Sequence, residues 1–399
     1  MQINIYPVTS PIHDKKQIDS STGTFIAALE KELSQAVSLM SEGSALLPDS
    51  DLDMFFIRTG GTENIFLKRF LESGLREAVL LTTGESNSLA AAMECLSWLN
   101  QNGYSGKIFH GTIQYIAQLI LNEAKVNRAY KHLRGQRLAV IGKPSDWLIA
   151  SDYSVEAIKQ KLGVEVIEIP MQVFLEEFGK HDYPIDARRR LKTCPSDFFV
   201  GALEIYGALK RLVERYKLNG LTIRCFDLLS DIHNTGCLAL ALLNQEGIVS
   251  SCEGDVPALL TMMISQALTG ETGFQANPSR IDPQSGEIVL AHCTVPLNMI
   301  DEYSYDTHFE SGIGVAIKGK LPQGTVTIAK VSGDLSRDYV TDAQLTANLS
   351  EHNLCRTQIK VVSKPCADYM LSAPIGNHHI IIRGDHKALF ESFMKRLSK

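Results

Sequence analysis

Residues 53–86 have the sequence DMFFIRTGGTENIFLKRFLESGLREAVLLTTGES, and this stretch decides the fold class. An apolar run ends at paired glycines. A segment with helical spacing of its apolar residues follows, and a second apolar run then leads into another glycine turn. Strands that alternate with helices in this way predict βαβ units and a parallel sheet. The crossovers between such strands are right-handed as a rule.

The same alternation continues beyond this stretch and restarts in the middle of the chain. QRLAVIGKPSD (136–146) is an apolar run that leads into a glycine turn, as at the start of a new α/β domain. NGLTIRCFDLL (219–229) and GIVSSC (247–252) have the composition of later strands. The sequence therefore predicts two Rossmann-like domains with flavodoxin-like parallel sheets, over residues 1–135 and 136–272.

The last third of the chain has a different pattern. Runs such as SGEIVLAHCTVPL (285–297) and NHHIIIRGDH (377–386) alternate apolar and polar residues between turns rich in glycine, proline and asparagine. Such runs predict antiparallel strands that form a barrel or a sandwich. We therefore expect a β-rich, barrel-like C-terminal domain over residues 273–399. A single helix, HKALFESFMKRLSK (386–399), is predicted at its end.

The composition is that of a globular protein and argues against several classes of function. Of the 399 residues, 44% are hydrophobic and 21% are charged. The net charge of −6 argues against a nucleic-acid binder, which usually has a basic surface. The basic run DARRRLK (186–192) fits an exposed helix surface. No apolar run approaches the ~20 residues of a transmembrane helix, so no membrane association is expected.

The cysteines and the first residues bear on the cellular location. The eight cysteines include no CxxC pair, and most of them lie in apolar stretches, which is typical of reduced, buried thiols. The segment MQINIYPVTSPIHDKK (1–16) lacks the basic and apolar regions of a signal peptide. We therefore expect a cytoplasmic protein that binds neither nucleic acid nor a membrane.

Two carboxylates stand at the head of the apolar segment SSCEGDVPALLTMMISQALTG (250–270). A helix is predicted from about Val256, with Pro257 in its first turn. Asp255 then falls at the N-cap, and capping is a complete structural explanation for it. Glu253 lies just past the end of a strand, where open α/β sheets bind their ligands. Its position alone does not decide between a solvated loop residue and a site residue.

Several segments resemble the L-fucose/L-arabinose isomerase superfamily. They are the early RTGGTEN (58–64), CEGDVPALLTMMISQALTG (252–270), NPSRIDPQSGEIVLAHCTVP (277–296) and PIGNHHIIIRGDH (374–386). The resemblance implies two α/β domains followed by a β-rich domain, with the site between the second and the third. It also implies an oligomeric enzyme that converts aldoses to ketoses with a divalent metal ion, usually Mn²⁺.

The resemblance also assigns roles to individual residues. Glu253 matches a metal ligand that also acts as acid and base. Asn277 stands where the family has its second carboxylate, which is a departure, because an amide oxygen can bind a metal ion but cannot exchange a proton. His292 matches a further ligand. In the last motif we favour His379 as the final metal ligand and place His378 beside the substrate.

We therefore expect a metal-dependent isomerase that acts on a small sugar, with Mn²⁺ or another divalent cation as cofactor and a homo-oligomeric state. The chemistry needs a cation that polarises the carbonyl and groups that move a proton between C1 and C2. The alternative is a sugar-binding relative that is weakly active or non-catalytic, which Asn277 favours unless a carboxylate such as Asp282 compensates. Taken singly, His292 and His379 could be hydrogen-bonded core residues. Their occurrence together with Glu253 favours a metal site.

Overall fold

The computed structural model describes residues 1–47 and 49–398 of the protein. Lys399, the last residue of the predicted C-terminal helix, lies outside the described residues. The chain divides into two compact units, Met1–Arg128 and Ala129–Lys399.

The first unit contains a five-stranded parallel sheet. Its strands are β1 (Ile3–Val8), β2 (Ser38–Leu39), β3 (Leu52–Ile57), β4 (Glu77–Leu81) and β5 (Ser105–Phe109). Its helices are α1 (Lys15–Leu33), α2 (Glu63–Ser73), α3 (Ser88–Gln101) and α4 (Ile113–Leu133), the last of which continues into the second unit. The strand order is β2-β1-β3-β4-β5. This is the flavodoxin order. The central strands β3 and β4 are largely buried and apolar on both faces, as expected of a parallel sheet covered by helices on both sides.

The second unit begins with a four-stranded parallel sheet. Its strands are β6 (Arg137–Ile141), β7 (Glu165–Ile169), β8 (Gly220–Ile223) and β9 (Val249–Ser251). Its helices are α5 (Val155–Leu162), α6 (Met171–Phe178), α7 (Ile185–Arg190), α8 (Phe199–Tyr216), α9 (Asp227–Asp231), α10 (Cys237–Gln245) and α11 (Val256–Thr269). The strand order is β7-β6-β8-β9, so β9 lies at one edge of the sheet.

A closed antiparallel barrel follows in the same unit. Its strands are β10 (Phe274–Asp282), β11 (Glu287–His292), β14 (Gly324–Val331), β15 (Asp338–Asn348), β16 (Thr357–Val362) and β17 (His379–Arg383). The remaining elements are the separate hairpin of β12 (Glu302–Asp306) and β13 (Ala316–Lys320), and the helices α12 (Lys364–Ser372) and α13 (Lys387–Leu397). The barrel closes in the order β10-β11-β16-β15-β14-β17.

One hydrophobic core joins the second sheet to the barrel. It includes Ala139 of β6, Leu221 of β8, Leu240 of α10 and, inside the barrel, Phe274 and Ile288, all of which are buried. The continuous core holds the loops at the carboxyl edge of this sheet in a fixed position against the barrel. These loops carry Trp147, after β6, and Glu253, after β9.

The predicted fold class is confirmed: two α/β parts with parallel sheets are followed by an antiparallel barrel. The division between the two compact units lies after residue 128. It does not test the domain boundaries after residues 135 and 272, which stay predictions. The predicted strand over 219–229 is too long, since it ends at Ile223 and α9 begins at Asp227. The C-terminal part contains α12 in addition to the single predicted helix.

No helix within residues 1–47 and 49–398 combines the length and the apolar character that crossing a bilayer requires. The predicted cytoplasmic location stays a prediction.

Candidate metal site

The loop between β9 and α11 holds Glu253 in an unusual backbone conformation. Glu253 has a φ of 65°, in the left-handed region that side chains other than glycine rarely adopt. Its carbonyl oxygen accepts a hydrogen bond of 2.9 Å from the Ser145 N–H, and the next N–H, of Gly254, donates to Ile223 at 3.0 Å. A Cβ at Gly254 would lie 2.5 Å from the Lys143 carbonyl oxygen. Such strain costs about 1–3 kcal/mol and is concentrated at functional sites.

Three buried side chains from different elements meet at this loop. Glu253 comes from the β9–α11 loop, His292 is the last residue of β11, and His378 directly precedes β17. Glu253 Oε1 lies 3.4 Å from His378 Nε2 and 3.9 Å from His292 Nε2. One ligand atom of each residue lies within 4.8 Å of the others, so the group could hold a metal ion.

Neighbouring groups orient the histidine rings of this trio, which consists of Glu253, His292 and His378. The His378 Nδ1–H donates to Asp255 Oδ2 at 2.8 Å, and His292 Nδ1 lies 3.1 Å from the Thr294 hydroxyl. In both rings Nε2 therefore faces Glu253. A partner on the second ring nitrogen is the usual support of a metal-binding histidine.

Trp147 fixes the other side of the carboxylate. Its indole Nε1–H donates to Glu253 Oε2 at 2.7 Å, while Oε1 faces the two histidines. Trp147 lies in the loop after β6 and is about half exposed. The two oxygens of Glu253 thus have separate environments, one bound to an indole and one directed at the imidazoles.

The second ring nitrogen of His378 faces Glu253 without a well-formed hydrogen bond. His378 is fully buried, and its Nε2 has no hydrogen-bond partner. A buried polar nitrogen without a partner costs free energy, and native proteins rarely leave one unless a ligand, ion or water uses it. The nitrogen lies beside a carboxylate and a second imidazole, and these three donors could coordinate one metal ion.

The trio and Asp255 form a network of charges. Burial lowers the pKa of His378, but the hydrogen bond to Asp255 and the negative charges of Asp255 and Glu253 outweigh it and raise the pKa to about 9. For Glu253, burial raises the pKa, yet His292 and His378 together hold it well below its usual range. Without a metal ion, protonated His378 and the buried ammonium group of Lys330 together balance the two carboxylates.

Asp255 has two roles, of which the sequence indicated one. Its Oδ1 accepts from the Ala258 N–H at 2.8 Å, so the predicted N-cap of α11 is confirmed. Its Oδ2 accepts from His378 and lies 3.5 Å from Lys330 Nζ, a fully buried ammonium group. Burial raises the pKa of Asp255, but Lys330 and His378 outweigh it and lower the pKa to about 2. Asp255 therefore also orients a candidate ligand.

We expect Asp255→Ala to destabilise the fold by about 3–5 kcal/mol, since it leaves Lys330 and His378 buried without their partner. A lost cap alone costs about 0.5–2 kcal/mol. Asp14 caps α1 at an exposed position through bonds from Lys16 N and Gln17 N, which makes Asp14→Ala the matched control. Urea unfolding at pH 7 measures both. Equal losses for the two variants would show that Asp255 is only a cap.

The structure brings His378, and not His379, of the C-terminal motif to Glu253, and the ligand role of either histidine stays a prediction. His379, expected as a ligand, donates from Nδ1 to the Asn377 carbonyl at 3.0 Å, and its Nε2 accepts from the Tyr369 hydroxyl at 3.2 Å. Burial, then the charge of Lys330, lowers the pKa of His379 to about 3. His378, expected beside the substrate, joins the trio instead. Adjacent strand residues point to opposite faces, so only one of them can face Glu253.

Asn277 lines the same cavity as Glu253 and His292. It lies on β10, and its Oδ1 accepts from the Asn377 amide at 2.9 Å. Its role as a ligand stays a prediction. Asp282, named above as a carboxylate that could compensate, closes the exposed turn after β10 by accepting from the Gln284 N–H at 2.8 Å. Asp282 is five residues from Asn277 along an extended strand, which places the two about 16 Å apart.

The cavity beside the trio is small and partly open to solvent. Its volume is about 70 Å³, which is room for several water molecules. One wall is apolar, with Phe226 and Leu229, and the loop between β12 and β13 contributes His308 and Glu310. Five of the eight cysteines also line it: Cys225, Cys237, Cys252, Cys293 and Cys355.

Sequence reasoning missed Trp147, Thr294 and the second role of Asp255. Trp147 follows the carboxyl end of β6, which is the edge where ligands bind, so its position gave a weak signal. Its contact with Glu253 joins residues that are 106 positions apart, and no local pattern indicates it.

Curated proteins similar to this chain are sugar isomerases. The chain is 23% identical over 235 residues to a protein named sulfoquinovose isomerase from Priestia aryabhattai, and the match covers 54% of this chain and 52% of that protein. A sulfoquinovose isomerase from Clostridium sp. (strain MSTE9) is 33% identical over 92 residues, or 23% of this chain and 21% of the relative. The chain spans about half the length of the curated relatives it matches. No family model matches it.

Proposed function

We propose that the protein is a divalent-metal-dependent isomerase that interconverts an aldose and a ketose, in the manner of the fucose and arabinose isomerases. The observation that carries the proposal is the buried trio of Glu253, His292 and His378, whose ligand atoms lie within 4.8 Å of one another. The matches to proteins named sulfoquinovose isomerase support sugar isomerisation as the reaction class. The resemblance also favours a homo-oligomer, whose size light scattering would measure.

The donor set fits a divalent transition-metal ion. One carboxylate oxygen and two imidazole nitrogens suit Mn²⁺, Fe²⁺, Co²⁺ or Zn²⁺ better than Mg²⁺ or Ca²⁺, which prefer oxygen ligands throughout. Glu253, His292 and His378 would hold the ion, and Asn277 is a further candidate from the same cavity. When bound, a divalent cation would polarise the sugar carbonyl and stabilise the negative charge that develops on its oxygen.

The reaction also needs protein groups that move a proton between two carbons of the sugar. Glu253 is one candidate, with Trp147 holding its carboxylate in place. Asn277 cannot exchange a proton. Among the described lining residues, His308 and Glu310 are the remaining histidine and carboxylate outside the trio. His308 is buried and held by Ser311 Oγ at 3.1 Å from Nδ1, so it is the better ordered second candidate.

The charges around the cavity favour an uncharged sugar. The described lining residues include no lysine or arginine, and they include the carboxylate Glu310. Arg224 adjoins the lining residue Cys225, but its guanidinium is bound to Asp146 and Asp227. A sulfonate group would need an unpaired cation or several donors to replace its water. We therefore favour a neutral aldose over a sulfonated sugar such as the one named in the relatives.

A non-catalytic or weakly active sugar-binding protein is the second candidate, and Asn277 favours it. The trio and the cavity would still bind a metal ion and a sugar in such a protein. The loss of one titrating group would slow proton transfer by the ~10²–10⁴-fold that general acid–base catalysis usually contributes. The two candidates therefore share metal binding and differ in turnover.

Metal binding is the first test of the proposal. Protein stripped with a chelator should gain stability when Mn²⁺ is restored, because the ion binds the folded state. At 100 times the Kd the gain is about 2.7 kcal/mol. Differential scanning calorimetry with Mn²⁺, Co²⁺, Zn²⁺ and Mg²⁺ measures the rise in Tm for each ion. If none of these ions raises the Tm and titration calorimetry detects no binding, the proposal fails.

The raised pKa of His378 predicts a pH dependence of metal binding. Without metal this imidazole has a pKa of about 9, so it is protonated at pH 7. A metal ligand must be neutral, so binding at pH 7 should release about one proton, and the affinity should rise as the pH increases towards 9. Titration calorimetry in two buffers with different ionisation enthalpies measures the proton. An observed enthalpy that does not depend on the buffer would contradict the expectation.

A further inference from the structure

Two cysteines of the cavity wall lie at the ends of neighbouring strands. Cys225 follows the end of β8 and Cys252 follows the end of β9, and these strands pair in parallel with Thr222 opposite Ser251. Cys225 lies three residues past Thr222 and Cys252 one residue past Ser251, so the two cysteines are offset along the strands and their side chains bring the sulfurs together. Both cysteines are free thiols, and their Sγ atoms are 2.9 Å apart.

We propose that Cys225 and Cys252 are an oxidation site: they form a reversible disulfide that alters the environment of Glu253. The sulfurs need to approach from 2.9 Å to the bond length of about 2.05 Å, which small side-chain rotations can achieve. The backbone N–H of Cys252 is held by Gln275 Oε1 at 2.8 Å. When the disulfide forms, Cys225 therefore moves more than Cys252.

An oxidant can reach the pair through the cavity. Cys225 is 7% exposed and Cys252 4% exposed, and both line the cavity beside the trio. Hydrogen peroxide is little larger than water, so it is small enough to enter a cavity of about 70 Å³. The pair is thus reachable from the substrate side, although its cysteines are nearly buried.

The oxidation balances with a hydroperoxide as the oxidant. The thiolate of one cysteine attacks the O–O bond of hydrogen peroxide and becomes a sulfenic acid, while hydroxide leaves. The second thiol then attacks that sulfur, the S–S bond forms, and water leaves with the sulfenic oxygen. The protein loses two hydrogens and two electrons, and the peroxide is reduced to two waters. A dithiol reductant reverses the change by exchange.

Two contacts connect the pair to the candidate metal site. Cys252 directly precedes Glu253 in the strained loop. Phe226 directly follows Cys225 and packs edge-on against Trp147, with ring centroids 4.8 Å apart. Trp147 in turn donates to the Glu253 carboxylate. A movement of Cys225 towards Cys252 therefore disturbs both the backbone and the indole that position Glu253.

The expected consequence is weaker metal binding in the oxidised protein. Loss of a group that orients a metal ligand usually lowers the affinity by about 10–100-fold. This consequence rests on the proposed function, whereas disulfide formation itself does not. The two parts therefore need separate measurements.

The experiment begins with metal-free, full-length protein treated with hydrogen peroxide, alkylated, digested and mapped by mass spectrometry. We expect one linked peptide that joins Cys225 to Cys252, absent after treatment with dithiothreitol. Cys225→Ser and Cys225→Ala should both lose it. Cys95→Ser should retain it, because Cys95 is a buried thiol of the first unit. No linked peptide, or one that joins Cys293 to Cys237 or Cys355, would overturn the proposal.

Titration calorimetry with Mn²⁺ on the oxidised and the reduced protein tests the second part. The Kd of the oxidised form should be about 10–100-fold higher and should return to its former value with the reductant. Peroxide should leave the Mn²⁺ affinity of Cys225→Ser unchanged. A linked peptide with an unaltered Kd would overturn the connection to the metal site. Binding to neither form would overturn the proposed function, while the linked peptide would still establish the oxidation site.

Discussion

Glu253→Gln should raise the Kd for Mn²⁺ by more than about 100-fold, which exceeds the usual effect of losing a group that only orients a ligand. The amide has the size of the carboxylate and can still accept a hydrogen bond from Trp147. It lacks the negative charge that faces His292 and His378 at 3.9 and 3.4 Å. The variant therefore removes the charge of the trio with little change in packing. Titration calorimetry on chelator-treated protein measures the Kd.

Glu310→Gln is the matched control for this variant. It makes the same chemical change in the wall of the same cavity, but Glu310 is exposed and does not belong to the trio. Its Kd for Mn²⁺ should stay within a few-fold of the wild-type value. If Glu253→Gln still binds Mn²⁺, or if Glu310→Gln loses binding to the same extent, the trio is not the metal site.

Asn277→Asp should increase the rate of aldose–ketose conversion by about 10²–10⁴-fold, the usual contribution of a general acid–base group. The carboxylate would keep the hydrogen bond from the Asn377 amide, now 2.9 Å from Asn277 Oδ1. It would add a group that titrates and a negative charge in the cavity of Glu253 and His292. Metal affinity should therefore also rise. Initial rates on neutral pentoses and 6-deoxyhexoses measure the gain.

Asn377→Asp is the control for the added charge. Asn377 is exposed and is the hydrogen-bond neighbour of Asn277, so the variant adds a carboxylate nearby without changing position 277. It should not increase the rate. If the wild-type protein isomerises a sugar rapidly and Asn277→Asp is slower, another residue supplies the second base. His308→Asn would then abolish turnover, and the carboxylate of Glu310 would be the next group to remove.

The fold was predictable because its signals are local. Apolar runs that end at glycines, such as 53–61 and 136–142, indicate strands without knowledge of any distant residue. α12 was missed although Ser363 and Pro365 are typical residues of a helix start, because the preceding alternation continued the strand pattern. The end of β8 was set too late, since 219–229 remains apolar through the loop and into α9.

The site was only partly predictable, because it depends on which face each residue presents. The motif directed attention to His378 and His379 but gave no reason to choose between them beyond analogy. The choice depends on barrel closure: β17 pairs with β10 so that His379 lies opposite Ala276, whose side chain is in the barrel core. His378 is therefore the histidine whose ring faces Glu253. The thiol pair and Trp147 also arise from contacts between distant parts of the chain.

The most direct test of the central claim is whether the protein converts a sugar without a sulfonate group, and whether this conversion requires Mn²⁺. Metal-stripped protein, and the same protein reloaded with Mn²⁺, would be incubated in D₂O with L-fucose and L-arabinose. The products would be separated, and their masses would be measured by mass spectrometry. We expect ketose formation with Mn²⁺ only, faster in Asn277→Asp and absent in Glu253→Gln. Ketose formation that persists without metal would contradict the account. So would the absence of ketose from every aldose in both the wild type and Asn277→Asp while Mn²⁺ is bound.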